Sequence, residues 1–86
     1  MVTICLNMIV KNECKIIKRL LDSVYKIIDY WVIVDTGSTD NTKEIIKNYF
    51  NDKNIDGELH EKEFVNFGIN RTHALTLAKD KADFLF

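Results

Sequence analysis

Residues 30–42, YWVIVDTGSTDNT, constrain this chain more than any other stretch. Tyr30, Trp31, Val32, Ile33 and Val34 are aromatic or β-branched, the residue types of a short buried strand. The run ends abruptly in Asp35. Gly37 then allows a sharp turn and the close approach of a ligand. Ser38, Thr39, Asp40 and Asn41 can each accept a hydrogen bond from the free N–H groups of a helix start. Asn41 with Glu44 three residues on has the form of a capping box, with Asn in the Ser/Thr place. Asp35 is therefore expected at the C-terminal end of a strand, facing a helix N-terminus. Open α/β sheets bind their ligands there. Capping alone accounts for Ser38 to Asn41. It does not account for Asp35 and Thr36, because a carboxylate closing a buried run is costly to desolvate unless something pairs with it.

The 86 residues give room for one small domain. An apolar content of 47% with 29% charged residues is that of a globular chain. With a net charge of −1 the chain offers no strong field for nucleic acid or an anionic membrane, and neither is expected as a partner. Cys5 and Cys14 form no CxxC pair, and His60 and His73 show no zinc-ligand spacing near them. Both cysteines read as reduced thiols of an intracellular, cytoplasmic protein. The apolar run 2–10 is too short to span a membrane, and it lacks the basic leader and cleavage site of a signal peptide.

In chain order, residues 2–10 read as a buried first strand, and Lys11-Asn12-Glu13 as a turn with Asn12 as N-cap. Residues 14–28 carry Ile16, Ile17, Leu20, Leu21, Val24, Ile27 and Ile28 at the 3.6-residue period of an amphipathic helix. Asp22 and Lys26 form an i,i+4 pair on its outer face. Residues 30–35 are the second strand. Residues 41–52 are the second helix, burying Ile45, Ile46, Tyr49 and Phe50 and broken by residues 51–54. After a turn at 55–57, residues 58–61 make a short polar edge strand, with His60 solvated. Residues 64–68 are a loop. Residues 69–81 are a third helix burying Ala74, Leu75 and Ala78, and residues 82–86 open a fourth strand. The order β-α-β-α-β-α-β implies a three-layer, Rossmann-like, mostly parallel sheet with right-handed crossovers.

Two common phosphate motifs are missing: there is no GxGxxG after the first strand and no GxxxxGK[ST]. Asp35-Thr36-Gly37-Ser38 also spells the tetrad of aspartic proteases, where two carboxylates share a proton. That fold is all-β. Here the tetrad lies between two helix-patterned segments, which argues against a protease.

Residues 4–13, ICLNMIVKNE, resemble the first strand and turn of the inverting family 2 glycosyltransferases of the GT-A fold. Residues 32–40, VIVDTGSTD, resemble their second strand and turn. Residues 67–75, FGINRTHAL, resemble the segment where an Arg opens a helix, and Asp83-Phe84-Leu85-Phe86 the strand leading to their metal-binding DxD. The resemblance spans the whole chain. It implies that residues 1–86 are the N-terminal, donor-binding part of such a domain, a partial GT-A fold stopping before the DxD and the general base. It further implies a nucleotide-diphosphate sugar, UDP-linked above others, as ligand. Ile9, Val10 and Glu13 would border the nucleoside, though Glu13 also reads as a first-turn residue favoured by the helix dipole. Asp35 would accept from a ring N–H of the base, with Thr36 where the family often has a second acid. Arg71 would lie near base and diphosphate, its fork suited to phosphate oxygens. His73 stands where an apolar residue is usual and reads as a packed or surface side chain. A divalent Mn or Mg ion is expected in the full-length enzyme, and none on this chain alone. The alternative is a non-catalytic α/β module that binds a partner or self-associates, with a homo-oligomer forming through the fourth strand.

Overall fold

The computed structural model describes residues 3–79, 81–82 and 84–85, the last two by backbone alone. The elements are β1 (Ile4–Val10), α1 (Ile17–Val24), β2 (Tyr30–Asp35), α2 (Thr42–Lys53), β3 (Gly57–Glu61), α3 (Phe67–Ala78) and β4 (Phe84–Leu85). All four strands are parallel, in the order β3-β2-β1-β4. This is the expected Rossmann-like α/β architecture, with β3 at an edge.

The strand register sets up both faces. Leu6 lies opposite Trp31, Met8 opposite Ile33 and Val10 opposite Asp35, so these residues share one face. α1 and α2 cover it. Leu6, Val10, Ile17, Leu21, Val24, Ile28, Trp31, Ile33, Ile46, Tyr49 and Phe50 form one apolar cluster there. Trp31 stacks on Phe50 with centroids 4.6 Å apart, and its indole N–H donates to the Ile55 carbonyl at 3.0 Å. Gly57 is required beneath it, since a Cβ there would collide with the Trp31 ring.

α3 covers the other face. Among the described residues its buried apolar cluster is Cys5, Val32 and Ala78, with Tyr30, Leu77 and Ala82 packed against it. An amide does much of the joining: Asn7 Nδ2 donates to Val32 O and to Ala74 O, both at 3.1 Å.

Several element ends differ from the sequence expectation. β1 starts at Ile4, where Ile4 N donates to Asp29 Oδ2 and Asp29 N returns a bond to Ile4 O, each 2.8 Å. Asn12 does not cap α1. It adopts a left-handed φ of 51°, and Ile16 N and Ile17 N both donate to Glu13 O, so a turn precedes the helix. α1 has no side-chain cap. Of its apolar row, Ile16, Leu20 and Ile27 stay 53%, 41% and 51% exposed, because the row is wider than the sheet surface one short helix can cover. Asp22 pairs with Lys18, not Lys26, and accepts from the Tyr49 hydroxyl at 2.8 Å.

Asn41 occupies the N-cap position of α2 without a side-chain bond. The expected capping box with Glu44 is not formed; one residue earlier, Asp40 accepts the Thr42 N–H at 2.9 Å. α2 buries Ile46, Tyr49 and Phe50, with Ile45 half-buried. It continues through Lys53 and ends at Asn54, whose left-handed φ of 57° suits an Asn C-terminal residue. α3 starts at Phe67, inside the predicted loop, because Asn66 caps it by accepting from Ile69 N at 2.8 Å. It ends at Ala78. Its buried residues are Asn70, Ala74 and Ala78, while Leu75 is 38% exposed. Ala82 stands outside β4. Met1, Val2, Asp80, Asp83 and Phe86 lie outside the described residues.

Candidate functional site

Asp35 ends β2 at the carboxyl edge of the sheet, as its sequence position predicts, and is 1% exposed. The chain turns back over it at Gly37, where φ is 115°, a value that favours glycine. That turn aims two backbone donors at one carboxylate oxygen: Gly37 N at 2.8 Å and Ser38 N at 2.7 Å both reach Oδ1. Oδ2 is buried and has no partner. Burial pushes the Asp35 pKa up. The bonds from Ser38 and Gly37, with the charge of Lys43, outweigh that and leave it below the ordinary carboxylate value. The site is thus an ionised carboxylate with one oxygen saturated and the other buried without a partner.

An open cleft of about 350 Å³ lies against it, lined by Asp35, Thr36, Gly37, Lys43, Glu61, Lys62 and Glu63. Parallel pairing brings Glu61 opposite Asp35, and Lys62 N donates to Asp35 O at 2.9 Å. Lys43, in the first turn of α2, pairs with Glu61 across the cleft.

The residues after Gly37 serve mainly to tie two loops together. Ser38 Oγ accepts from Asn12 N at 2.9 Å, and Asn12 Oδ1 accepts from Thr39 N at 2.8 Å. Thr42 Oγ1 accepts from Glu13 N at 2.9 Å, and Asp40 Oδ2 from Cys14 N at 3.4 Å. The Thr42 hydroxyl donates to Asp40 Oδ1. Thr42, with its neighbours, pulls the Asp40 pKa down to about 2. Asp40 in turn raises the Cys14 thiol, with burial adding to the effect. Both cysteines are free.

The predicted site residues fall in three places. Asp35 and Thr36 share the cleft. Ile9, Val10 and Glu13 line a separate apolar hollow of about 150 Å³ with Met8, Ile16, Ile17 and Leu20. Thr36 joins the two groups, since its N–H and hydroxyl both donate to Val10 O, at 3.0 and 3.3 Å. Arg71 is exposed on α3 and lines neither hollow.

Lys43, Glu61, Lys62 and Glu63 were not singled out in the sequence. The available signal was Glu61-Lys62-Glu63, a charged run directly after an edge strand. His60, expected to be solvated, keeps about a third of its side chain exposed (34%). It is half-buried, with Nε2 2.7 Å from Glu58 Oε1. His73 is half-buried with an unpartnered Nδ1. Among the described residues no group of three His, Cys, Asp or Glu side chains comes together as a metal site, and no helix is long and apolar enough to cross a membrane.

Two comparisons bear on what such a carboxylate cleft is for. The family model for glycosyl transferase family 2 matches residues 5–85. The chain finds no match among curated proteins.

Proposed function

The chain belongs to glycosyl transferase family 2, and from that premise we propose that the Asp35 cleft holds the base of a nucleotide-diphosphate sugar, with uracil as the base. One observation carries the reading. Asp35 is buried and ionised, its Oδ1 saturated by two backbone donors and its Oδ2 without a partner. A buried acceptor left unpaired is costly, and a ring N–H in the cleft would satisfy it.

The roles of the other residues follow from their chemistry. Thr36 fixes the cleft floor to β1 through Val10. The apolar hollow at Ile9 and Val10 offers a dry surface to the nucleoside. Arg71 supplies a two-pronged donor for phosphate from α3. Family membership implies a divalent ion for the diphosphate. The described residues bring no three His, Cys, Asp or Glu side chains together to hold it. Transfer with inversion would need a carboxylate base to take the acceptor hydroxyl proton.

The test is a titration of the chain with UDP, GDP and CDP, read by calorimetry and by amide chemical shifts. UDP is expected to bind best and to perturb the amides of residues 35–38. Asp35→Asn, which keeps size and loses charge, is expected to weaken UDP at least about tenfold, the scale of one hydrogen bond to a charged group. Equal affinity in wild type and variant would overturn the reading. A second reading, a partner-binding module without donor affinity, rests on the exposed Ile16, Leu20 and Ile27. Absence of binding by every nucleotide, with concentration-dependent association in sedimentation, would favour it.

A further inference from the structure

The Asp35 cleft holds a second charged group that its proposed role as a base pocket does not use. Lys43 projects from the first turn of α2, lines the cleft beside Asp35, and is bound to Glu61 on the opposite wall. Its side chain is 36% exposed and that of Glu61 67%. An exposed pair of this kind contributes little to stability, so Lys43 can leave Glu61 for a better acceptor at small cost. Glu61 is fixed in register opposite Asp35 by the β2–β3 pairing. Lys43 is therefore held at the cleft, bound to Glu61 and sharing its lining with Asp35.

We propose that Lys43 is a specificity-determining residue that reads the base: it leaves Glu61 and donates to the carbonyl flanking the N–H that Asp35 Oδ2 accepts. This rests on the Asp35 reading and adds a new residue to it. The carboxylate offers one free oxygen, because Oδ1 already takes the Gly37 and Ser38 N–H groups. Uracil presents one ring N–H with a carbonyl on each side. One acceptor beside one cation satisfies that edge in either orientation. Guanine presents a second donor, its 2-amino group, beside its ring N–H and would need the oxygen that is taken. Cytosine has an unprotonated ring nitrogen in the place of the N–H, which faces the carboxylate lone pairs. Glu61 acts as the resting partner that keeps Lys43 extended over the cleft while no base is bound.

The experiment is a set of titrations with UDP, GDP, CDP and inorganic pyrophosphate on wild type, Lys43→Met, Glu61→Gln and Asp35→Asn. Amide spectra check that each variant is folded. Lys43→Met keeps the apolar stem and removes the charge. It is expected to weaken UDP about tenfold, to change CDP and pyrophosphate by less than about twofold, and so to narrow the preference for UDP. Glu61→Gln is expected to tighten UDP, since Lys43 no longer has to leave an ion pair. Lys43→Met binding UDP as wild type does, while Asp35→Asn loses it, overturns this proposal and leaves the Asp35 reading standing. A parallel loss for UDP and pyrophosphate assigns Lys43 to phosphate and also overturns it. UDP affinity unchanged in Asp35→Asn removes both.

Discussion

The two faces of the sheet are built on different principles. The face under α1 and α2 is a continuous apolar cluster in which Trp31 stacks on Phe50 over Gly57. Among the described residues, the face under α3 has a smaller apolar cluster, joined by amides. Asn7 ties β1 to β2 and α3, and Asn70 accepts from Val65 N at 2.8 Å and donates to Glu63 O at 3.2 Å. Apolar burial is strong but non-directional, whereas hydrogen bonds fix orientation with little net gain in stability. The first face therefore holds the sheet together. The second sets where α3, with Arg71, and the loop at Glu63 sit relative to the cleft.

That contrast can be broken most severely at Phe50. Phe50→Ala should cost about 3–5 kcal/mol in urea unfolding, enough to unfold much of a chain this small. A loss under 1 kcal/mol would refute the view that this cluster dominates. Gly57→Ala should cost about 1–3 kcal/mol by overpacking against Trp31. The loss should be recovered in part when Trp31 is also made smaller, a coupling that a double-mutant cycle measures.

On the amide face, Asn70→Ala should cost about 1–2 kcal/mol. It should also speed amide exchange at Val65 far more than in β2. Uniform exchange across both would mean that Asn70 only fills space.

The polar end of the same face makes a pH prediction. Lys81 pulls the Glu58 pKa from 4.5 to about 2, with His60 and then the Tyr30 hydroxyl adding bonds. A carboxyl whose folded pKa is depressed contributes fully above its unfolded value. That contribution is lost as pH falls through the folded one. Stability should therefore decline between about pH 4.5 and pH 2, and Glu58→Gln should shallow that decline. An identical acid limb in the variant would show that Glu58 is not its source. The smallest effect is expected at Leu75, where Leu75→Ser on the open side of α3 should change stability by less than about 0.5 kcal/mol.

Much of the first face was legible because the pattern of apolar residues, as unbroken runs or at helical spacing, reports burial. The Tyr30–Asp35 strand, the α2 core residues Ile46, Tyr49 and Phe50, and the parallel β/α order all follow from it. Periodicity does not say how wide a surface a helix can cover, which is why Ile16, Leu20 and Leu75 were expected inside and lie outside. It is also silent on competition between polar side chains. Asn12 and Asn41 each look like caps, but Asn41 makes no side-chain cap bond, and Asn12 turns left-handed with its Oδ1 accepting from Thr39 N. The position of Asp35 could be read from the end of its apolar run. Its unpaired Oδ2, and the approach of Lys43 and Glu61, depend on strand register and on where α2 begins. Neither is local in the sequence.

The stitching between residues 12–14 and 38–42 bears on the heat of binding. Both segments carry their partners in the free chain, through Asn12, Ser38, Asp40 and Thr42. A ligand arriving at Asp35 then has little loop motion left to arrest. The entropy normally surrendered in ordering flexible walls, about 0.5–1.5 kcal/mol for each immobilised side chain, has already been charged to folding. Association should show a small unfavourable entropy, and cutting one stitch with Ser38→Ala should enlarge it.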